Sequence, residues 1–323
     1  MKAFAVKNKN TTTRLRSRSG GVFPALSDFI LNQNGSVYGC ILNSKLEAVH
    51  TQALNKPERD EMCGSKYVQS CKSDMFKLVK SDLKSGKHVL FSGTPCEIDG
   101  LKSYLGHTDM SRLVLIDIVC HGVPSPLLWK KYLNFVECKT GQKVIKADFR
   151  NKKDFGWTSN IETLYLSDGT TYNSHDYASI FYSHYPLRPS CSRCPYKSLQ
   201  RCADITLADC WGIDKYQPEF NDNKGVSLIL INTSKGNEIF QSVVSQFDAI
   251  EVDIKNFLQA PLDHSFKVNK HKRELFWKKL HEKSFTYIVA KYGANSLEEK
   301  IKRSLHKLLP ESIVRQLKKL LGR

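Results

Sequence analysis

Two short apolar runs, Val89-Leu90-Phe91 and Leu113-Val114-Leu115-Ile116, each lead within five residues into a cysteine, and this pairing constrains the fold more than any other feature of the chain. The first continues into Gly93-Thr94-Pro95-Cys96 and the second into Val119-Cys120-His121-Gly122. Runs bounded by Gly and Pro and separated by a helical stretch read as buried parallel strands. Parallel neighbours bring their carboxyl ends to one edge, where open α/β sheets bind ligands. Cys96 and Cys120 are therefore expected to face one site. A loop carrying Cys191-Ser192-Arg193-Cys194 can close over it, and together they offer four thiolates.

The surrounding pattern supports an α/β fold. Val22 to Asn32 reads as a helix opened by Ser19-Gly20-Gly21, followed by strands over Ser36–Leu42 and Leu46–Leu54 and an amphipathic helix over Ser73–Ser85. Strand 88–92, helix 97–105, strand 113–119 and helix 125–137 then alternate as βαβ units do. From about residue 143 the signal changes. Val144–Phe149, Ile161–Leu166 and Thr170–Tyr172 look antiparallel, with a turn at Ser167-Asp168-Gly169. The Pro-, Ser-, Arg- and Cys-rich stretch 183–203 reads as an ordered loop. Strands Asp204–Ala208 and Val226–Asn232 and a helix from Ser234 to about Gln246 follow. The expected organisation is a βαβ half over 1–142, a loop-rich half over 143–266 and a basic helical tail over 267–323.

The net charge of +17 is uneven: residues 267–323 carry 16 Lys/Arg against five Glu. A basic tail suits an acidic partner or an anionic surface. Within it, Ser296 and Glu299 form a capping box ahead of Leu297, Ile301, Leu305 and Leu308, and Ile313, Val314, Leu317 and Leu320 share one face after Pro310. Cationic amphipathic helices of this kind lie on anionic lipid or dock on protein. The basic charge is not interleaved with an aromatic platform and no reader motif is present, so nucleic acid is not an expected partner. Met1 to Asn8 turns polar before a signal sequence can form, and no run approaches the ~18 apolar residues of a membrane span. A cytoplasmic chain is expected, with the tail either its contact at the inner membrane face or a surface docked on protein.

Ten cysteines in a reducing compartment point to metal ligation or redox work rather than disulfides. The Cys-x-x-Cys spacing suits zinc, an iron–sulfur cluster or a redox pair. Cys202 and Cys210 compete for the remaining ligand positions, because Cys191, Cys194, Cys202 and Cys210 could close a local zinc site; Cys210 could instead be a buried apolar thiol. A zinc-stabilised binding or scaffold module with a basic tail is thus the alternative function. Cys40, Cys63, Cys71 and Cys138 have no partner at ligand spacing and read as packing residues. Ser17-Arg18-Ser19-Gly20-Gly21 ahead of a helix is a candidate phosphate cradle, where a side chain at Gly20 would block backbone approach without unfolding the protein. Gly64-Ser65-Lys66 is a second turn with a cation. His121 and Lys66 are the candidate catalytic groups, and Asp204 and Asp209 are carboxylates that could tune a cluster or simply cap turns.

Seven motifs in order, Ser19-Gly20-Gly21-Val22-Phe23, Gly64-Ser65-Lys66-Tyr67-Val68-Gln69-Ser70, Phe91-Ser92-Gly93-Thr94-Pro95-Cys96, Cys120-His121-Gly122-Val123-Pro124-Ser125, Cys191-x-x-Cys194, Asp204-Ile205-Thr206 and Gly225-Val226-Ser227-Leu228, resemble the beta subunit family of coenzyme F420 hydrogenases and dehydrogenases over residues 3 to 245. The family is related to the reductase of hydroxymethyl-chlorophyll and to members found in bacterial polysaccharide gene sets. The resemblance implies an oxidoreductase with FAD at the parallel-sheet edge and a 4Fe-4S cluster beside it. Carried over, Cys96, Cys120, Cys191 and Cys194 would ligate the cluster, and Ser19, Gly20, Gly21, Ser65, Lys66, Gly93 and Thr94 would line the flavin. It also implies a deazaflavin or ferredoxin donor. Many members carry a ferredoxin-like segment ahead of the point where this chain begins, so a separate ferredoxin-like protein is an expected partner. Arg18 departs from the pattern, standing where a small residue is expected; aimed at the flavin it would pair with pyrophosphate or a substrate carboxylate.

Overall fold

The computed structural model describes residues 1–297, 300 and 301. Eleven strands occur among them: β1 (Lys2–Asn8), β2 (Ser36–Leu42), β3 (Ala48–Ala53), β4 (Val89–Gly93), β5 (Leu113–Ile118), β6 (Val144–Asp148), β7 (Glu162–Leu166), β8 (Thr171–Ser174), β9 (Ile205–Asp209), β10 (Ser227–Ile231) and β11 (Phe247–Glu251). Eight form one mixed sheet in the order β11-β1-β10-β9-β5-β4-β2-β3, and β6-β7-β8 form a separate antiparallel sheet. The fold is α/β, as the alternation of elements predicts. β2, β4, β5 and β9 run parallel, in register Val37↔Leu90, Leu90↔Val114 and Ile116↔Ile205.

The apolar runs are buried because both faces of the parallel strands are covered. Leu90, Val114 and Ile116 turn to one side, against Leu26 and Ile30 of the helix Val22–Leu31 and Ile239 of the helix Ser234–Val243. Val89, Phe91, Leu113 and Leu115 turn to the other, against Val79 and Leu83 of the helix Met75–Lys84 and Ile98, Leu101 and Leu105 of the helix Pro95–Leu105. A third, largely aromatic cluster lies between the three-stranded sheet and the helix Pro126–Thr140, with Trp129, Tyr132, Phe149 and Tyr177 at its centre.

Several features differ from the sequence expectations. β1 and β11 carry no long apolar run, yet β1 pairs antiparallel with both β10 and β11. β9 is a junction rather than a member of a separate antiparallel half: it extends the parallel set beside β5 and pairs antiparallel with β10. The large sheet therefore takes β1–β5 from one side of residue 142 and β9–β11 from the other. Of the basic tail, the helices Lys270–Glu282 and Phe285–Tyr292 pack Phe276, Leu280 and Ile288 into the aromatic cluster. The proposed lipid-facing segment from Leu297 to Leu320 lies almost wholly outside the described residues. Among the described residues no helix is long and apolar enough to cross a membrane.

Candidate functional site

A cavity of about 300 Å³ opens at the carboxyl edge of the parallel strands, at the lower end of the range for small-molecule sites. Its floor comes from the turns that follow β4 and β5, its sides from the Ser17–Pro24 and Cys63–Val68 loops, and its far wall from Arg150, Tyr182, Asp209 and Trp211. Of the residues expected around a flavin, Ser19, Gly21, Ser65, Lys66, Gly93 and Thr94 line this cavity, together with Cys120 and His121.

Gly20 does not line it. Its N–H donates to Ser227 Oγ at 2.8 Å and its carbonyl accepts from the Asn8 N–H at 2.8 Å. A Cβ here would sit 2.1 Å from the Val6 carbonyl oxygen and 2.7 Å from the Ser227 nitrogen. Gly20 is glycine because the loop crosses β1 and β10 at backbone contact. A Gly20→Val protein is therefore expected to lose its fold, rather than to stay folded with the phosphate approach blocked. Gly21 has the left-handed φ of 79° that turns the chain into the helix Val22–Leu31, whose N-terminus has no side-chain cap. Open N–H groups at such a helix end suit an anion. Lys152, brought in from beyond β6, donates to the Ser19, Arg14 and Lys224 carbonyls at 2.6–2.9 Å and fixes the loop from behind. Burial lowers its pKa to about 7.

Two candidate catalytic groups sit in low-dielectric surroundings. Lys66 is depressed below the usual lysine value by burial, with Cys40 and Cys63 opposing the shift, and donates to the Glu61 and Cys63 carbonyls at 2.8 Å each. His121 is pushed down to about 4, first by burial and then by Lys197 and Arg150. Its imidazole is neutral at physiological pH and packs edge-on against Tyr182 at 5.7 Å.

The four cysteines expected as ligands lie beside the cavity. Cys120 reaches its wall, and its thiol is raised to about 12 by burial, then by Cys191 and Cys96. Cys96 is raised by desolvation, then by Glu97, Cys194 and Cys191, against a hydrogen bond with Thr94 Oγ1 at 3.2 Å. Gly122, at φ 143°, lets Cys191 close in: a Cβ at 122 would lie 3.2 Å from Cys191 Cβ. Among the described residues, no three His, Cys, Asp or Glu side chains are drawn together as ligands of a single ion. The local four-cysteine alternative is split apart. Cys210 is fully buried in an apolar cluster with Trp157, Val226 and Phe257, and Cys202 donates to the Pro95 carbonyl at 3.3 Å. Cys40 and Cys63 line the cavity, whereas Cys71 and Cys138 are exposed rather than packed.

The cysteine loop is held from several sides. Arg201 reaches Asp117 of β5 at 2.8 Å and the Tyr196 carbonyl at 2.9 Å. Tyr196 donates to Asp99 at 2.6 Å, Lys197 to the His121 carbonyl at 2.8 Å, and the Cys194 N–H to Ser265 Oγ at 3.1 Å. Sequence reasoning missed this bracing, and missed His50. That imidazole is buried between Ser70 Oγ at 2.8 Å and the Ser92 carbonyl at 3.1 Å, and lines the cavity. Asp204 serves the scaffold, accepting from the Leu115 N–H and the Thr233 hydroxyl. Asp209 accepts from Trp157 Nε1 and from Arg150.

Fold and site define an α/β protein with a cavity of small-molecule size at the carboxyl edge of parallel strands, beside a set of neighbouring cysteines. The family model for the C terminus of the coenzyme F420 hydrogenase/dehydrogenase beta subunit matches residues 86–255, and the chain belongs to that family. Among solved structures, it resembles a chain of the F420-reducing NiFe hydrogenase complex from Methanosarcina barkeri, with 18% identity and a TM-score of 0.56 over 92% of this chain and 94% of that chain. At that identity the likeness is one of fold. No curated protein matches the sequence.

Proposed function

We propose that the protein is an oxidoreductase that holds FAD in the cavity and a 4Fe-4S cluster on Cys96, Cys120, Cys191 and Cys194. One observation carries the reading: Cys120 is a wall of the cavity and an electrostatic neighbour of Cys96 and Cys191. A molecule in the cavity and a group on the thiolates would share that residue. The donor sets suit both groups. The uncapped helix end behind Gly21 is a phosphate site, apolar Val22, Phe23 and Ile118 border the cavity, and four thiols from three segments are cluster-type ligands. When bound, flavin exchanges a hydride and hands on electrons singly, as a cluster does.

The protein's own residues set the conditions. Lys66 places a cation on the cavity wall. His121, uncharged above pH 4, offers a ring nitrogen for hydrogen bonding or proton transfer without adding charge. Arg201 keeps the cysteine loop on the end of β5. The electron donor in this reading is a reduced deazaflavin or a separate ferredoxin-like protein. Protein purified without oxygen should be brown-yellow and contain flavin, iron and acid-labile sulfide. Cys96→Ser and Cys191→Ser should each lose the iron while Cys138→Ser keeps it. Stoichiometric zinc without iron or sulfide would overturn the cluster.

A further inference from the structure

Two guanidinium groups and one carboxylate meet at the far wall of the cavity, and the count does not balance. Arg150 is saturated. Its Nη1 donates to Asp209 Oδ2 at 3.0 Å, its Nε to the Ser159 carbonyl at 3.1 Å, and its plane lies over the Trp211 ring at 5.2 Å. Arg18 reaches the same Asp209 oxygen only at 3.6 Å, and its one side-chain hydrogen bond among the described residues runs from Nη2 to the Trp157 carbonyl at 2.7 Å. Its Nε and Nη1 are buried and have no partner among the described residues. Asp148, whose carboxylate accepts from the Arg150 N–H, adds only a weaker attraction behind Asp209. A buried guanidinium with two idle donors is costly unless something negative meets it.

The surroundings hold Arg18 in place rather than letting it swing to water. Its side chain is 11% exposed. Trp157, which anchors Nη2, stacks on Trp211 at 5.0 Å and 10°. Trp157 also donates to Asp209, and Asp209 is pinned by Arg150. Trp211 and Arg18 both line the cavity, as does the uncapped helix end that Arg18 precedes by four residues. Arg18 and the helix N–H groups thus border one concavity.

We propose that Arg18 is an oxyanion anchor: it binds a carboxylate or phosphate group of a molecule lodged in the cavity, and Arg150 positions it by occupying Asp209. The inference rests on the cavity being the ligand site proposed above. It assigns the anion's place whether that anion belongs to the cofactor or to the substrate.

Titrating pyrophosphate and benzoate separately into the full-length protein, with and without bound FAD, and following tryptophan fluorescence tests it, because Trp157 and Trp211 report on the site. At least one anion should bind saturably, and Arg18→Gln should weaken it more than tenfold. Arg18→Lys, which keeps the positive charge, should fall between. Binding that FAD abolishes assigns the anchor to the cofactor's phosphates, and binding that persists in flavin-loaded protein assigns it to a substrate anion. Failure of both anions to bind wild-type protein overturns the proposal, as does equal binding by the two variants and wild type. Because the titration does not require flavin, a protein that binds these anions through Arg18 but never binds FAD would overturn the flavin reading alone.

Discussion

Two buried charge arrangements flank the site, and they differ in stoichiometry. Under the cysteine loop, Asp117 and Arg201 pair one to one, with side chains 0% and 1% exposed. On the far wall, Arg18 and Arg150 share Asp209. A balanced buried pair is a fastener: removing one partner strands the other in low dielectric. An unbalanced set is tolerable only where a further charge arrives, so its excess marks where a ligand belongs rather than what holds the fold.

The contrast can be broken by mutation. Arg201→Met should be the most damaging, costing about 3–5 kcal/mol by the usual penalty for breaking a buried pair, read by urea unfolding. Burial raises Asp117 to about 6 even against the pull of Arg201, so the loss should shrink at pH 5, where the stranded carboxyl is protonated. A smaller cost at pH 8 than at pH 5 would contradict this account. Next, Asp209→Asn leaves two buried guanidiniums facing each other and should cost about 2–3 kcal/mol as an unpaired buried group, with much of it recovered in saturating pyrophosphate. Arg18→Gln removes the surplus cation along with one hydrogen bond and should move stability by no more than about 1 kcal/mol. If it proves as destabilising as Arg201→Met, the two sites are alike and the distinction fails.

A separate, pH-dependent effect concerns a carboxyl with no cation beside it among the described residues. Glu162 sits in the aromatic cluster, accepting from the Tyr132 hydroxyl and the Tyr177 N–H at 2.9 Å each, and burial raises it from 4.5 to about 7. As pH rises from 4.5 the unfolded chain ionises first, so the folded state loses stability until about pH 7 is passed. Glu162→Gln should flatten that decline while leaving stability at pH 4 little changed. An identical slope in the variant would rule Glu162 out as its source.

How much could be read from the chain alone follows the same division between local and distant. β2, β4, β5 and β10 were legible because both of their faces are covered and their apolar runs are continuous. β1 was not: in Lys2–Asn8 only Ala3, Ala5, Val6 and Asn8 are buried, a pattern too small and polar to announce a strand. β11 was hidden for a similar reason, with a single fully buried residue, Phe247. Turn motifs that touch the cavity, such as Ser19-Gly20-Gly21 and Gly93-Thr94, were visible as small-residue breaks before helices. The role of Gly20 was misjudged because contact with β1 and β10 depends on pairings more than 200 residues apart. Arg150, Asp209 and Trp157 were illegible as a group for the same reason.

The placement of β1 also governs when the protein can mature. Its partners are β10 and β11, so this strand must wait for residues near 250 to leave the ribosome before its ladders can close. Long-range pairings of this kind are slow, and they leave strand edges bare in the interval. The parallel core of β2, β4 and β5 can assemble early, but the Ser19-Gly20-Gly21 turn is tethered to Asn8 and Ser227 and takes shape only with the last ladders. The cavity is thus a late product of folding, and truncation between β9 and β10, which removes Ser227, would yield a chain with most of its core and no finished site.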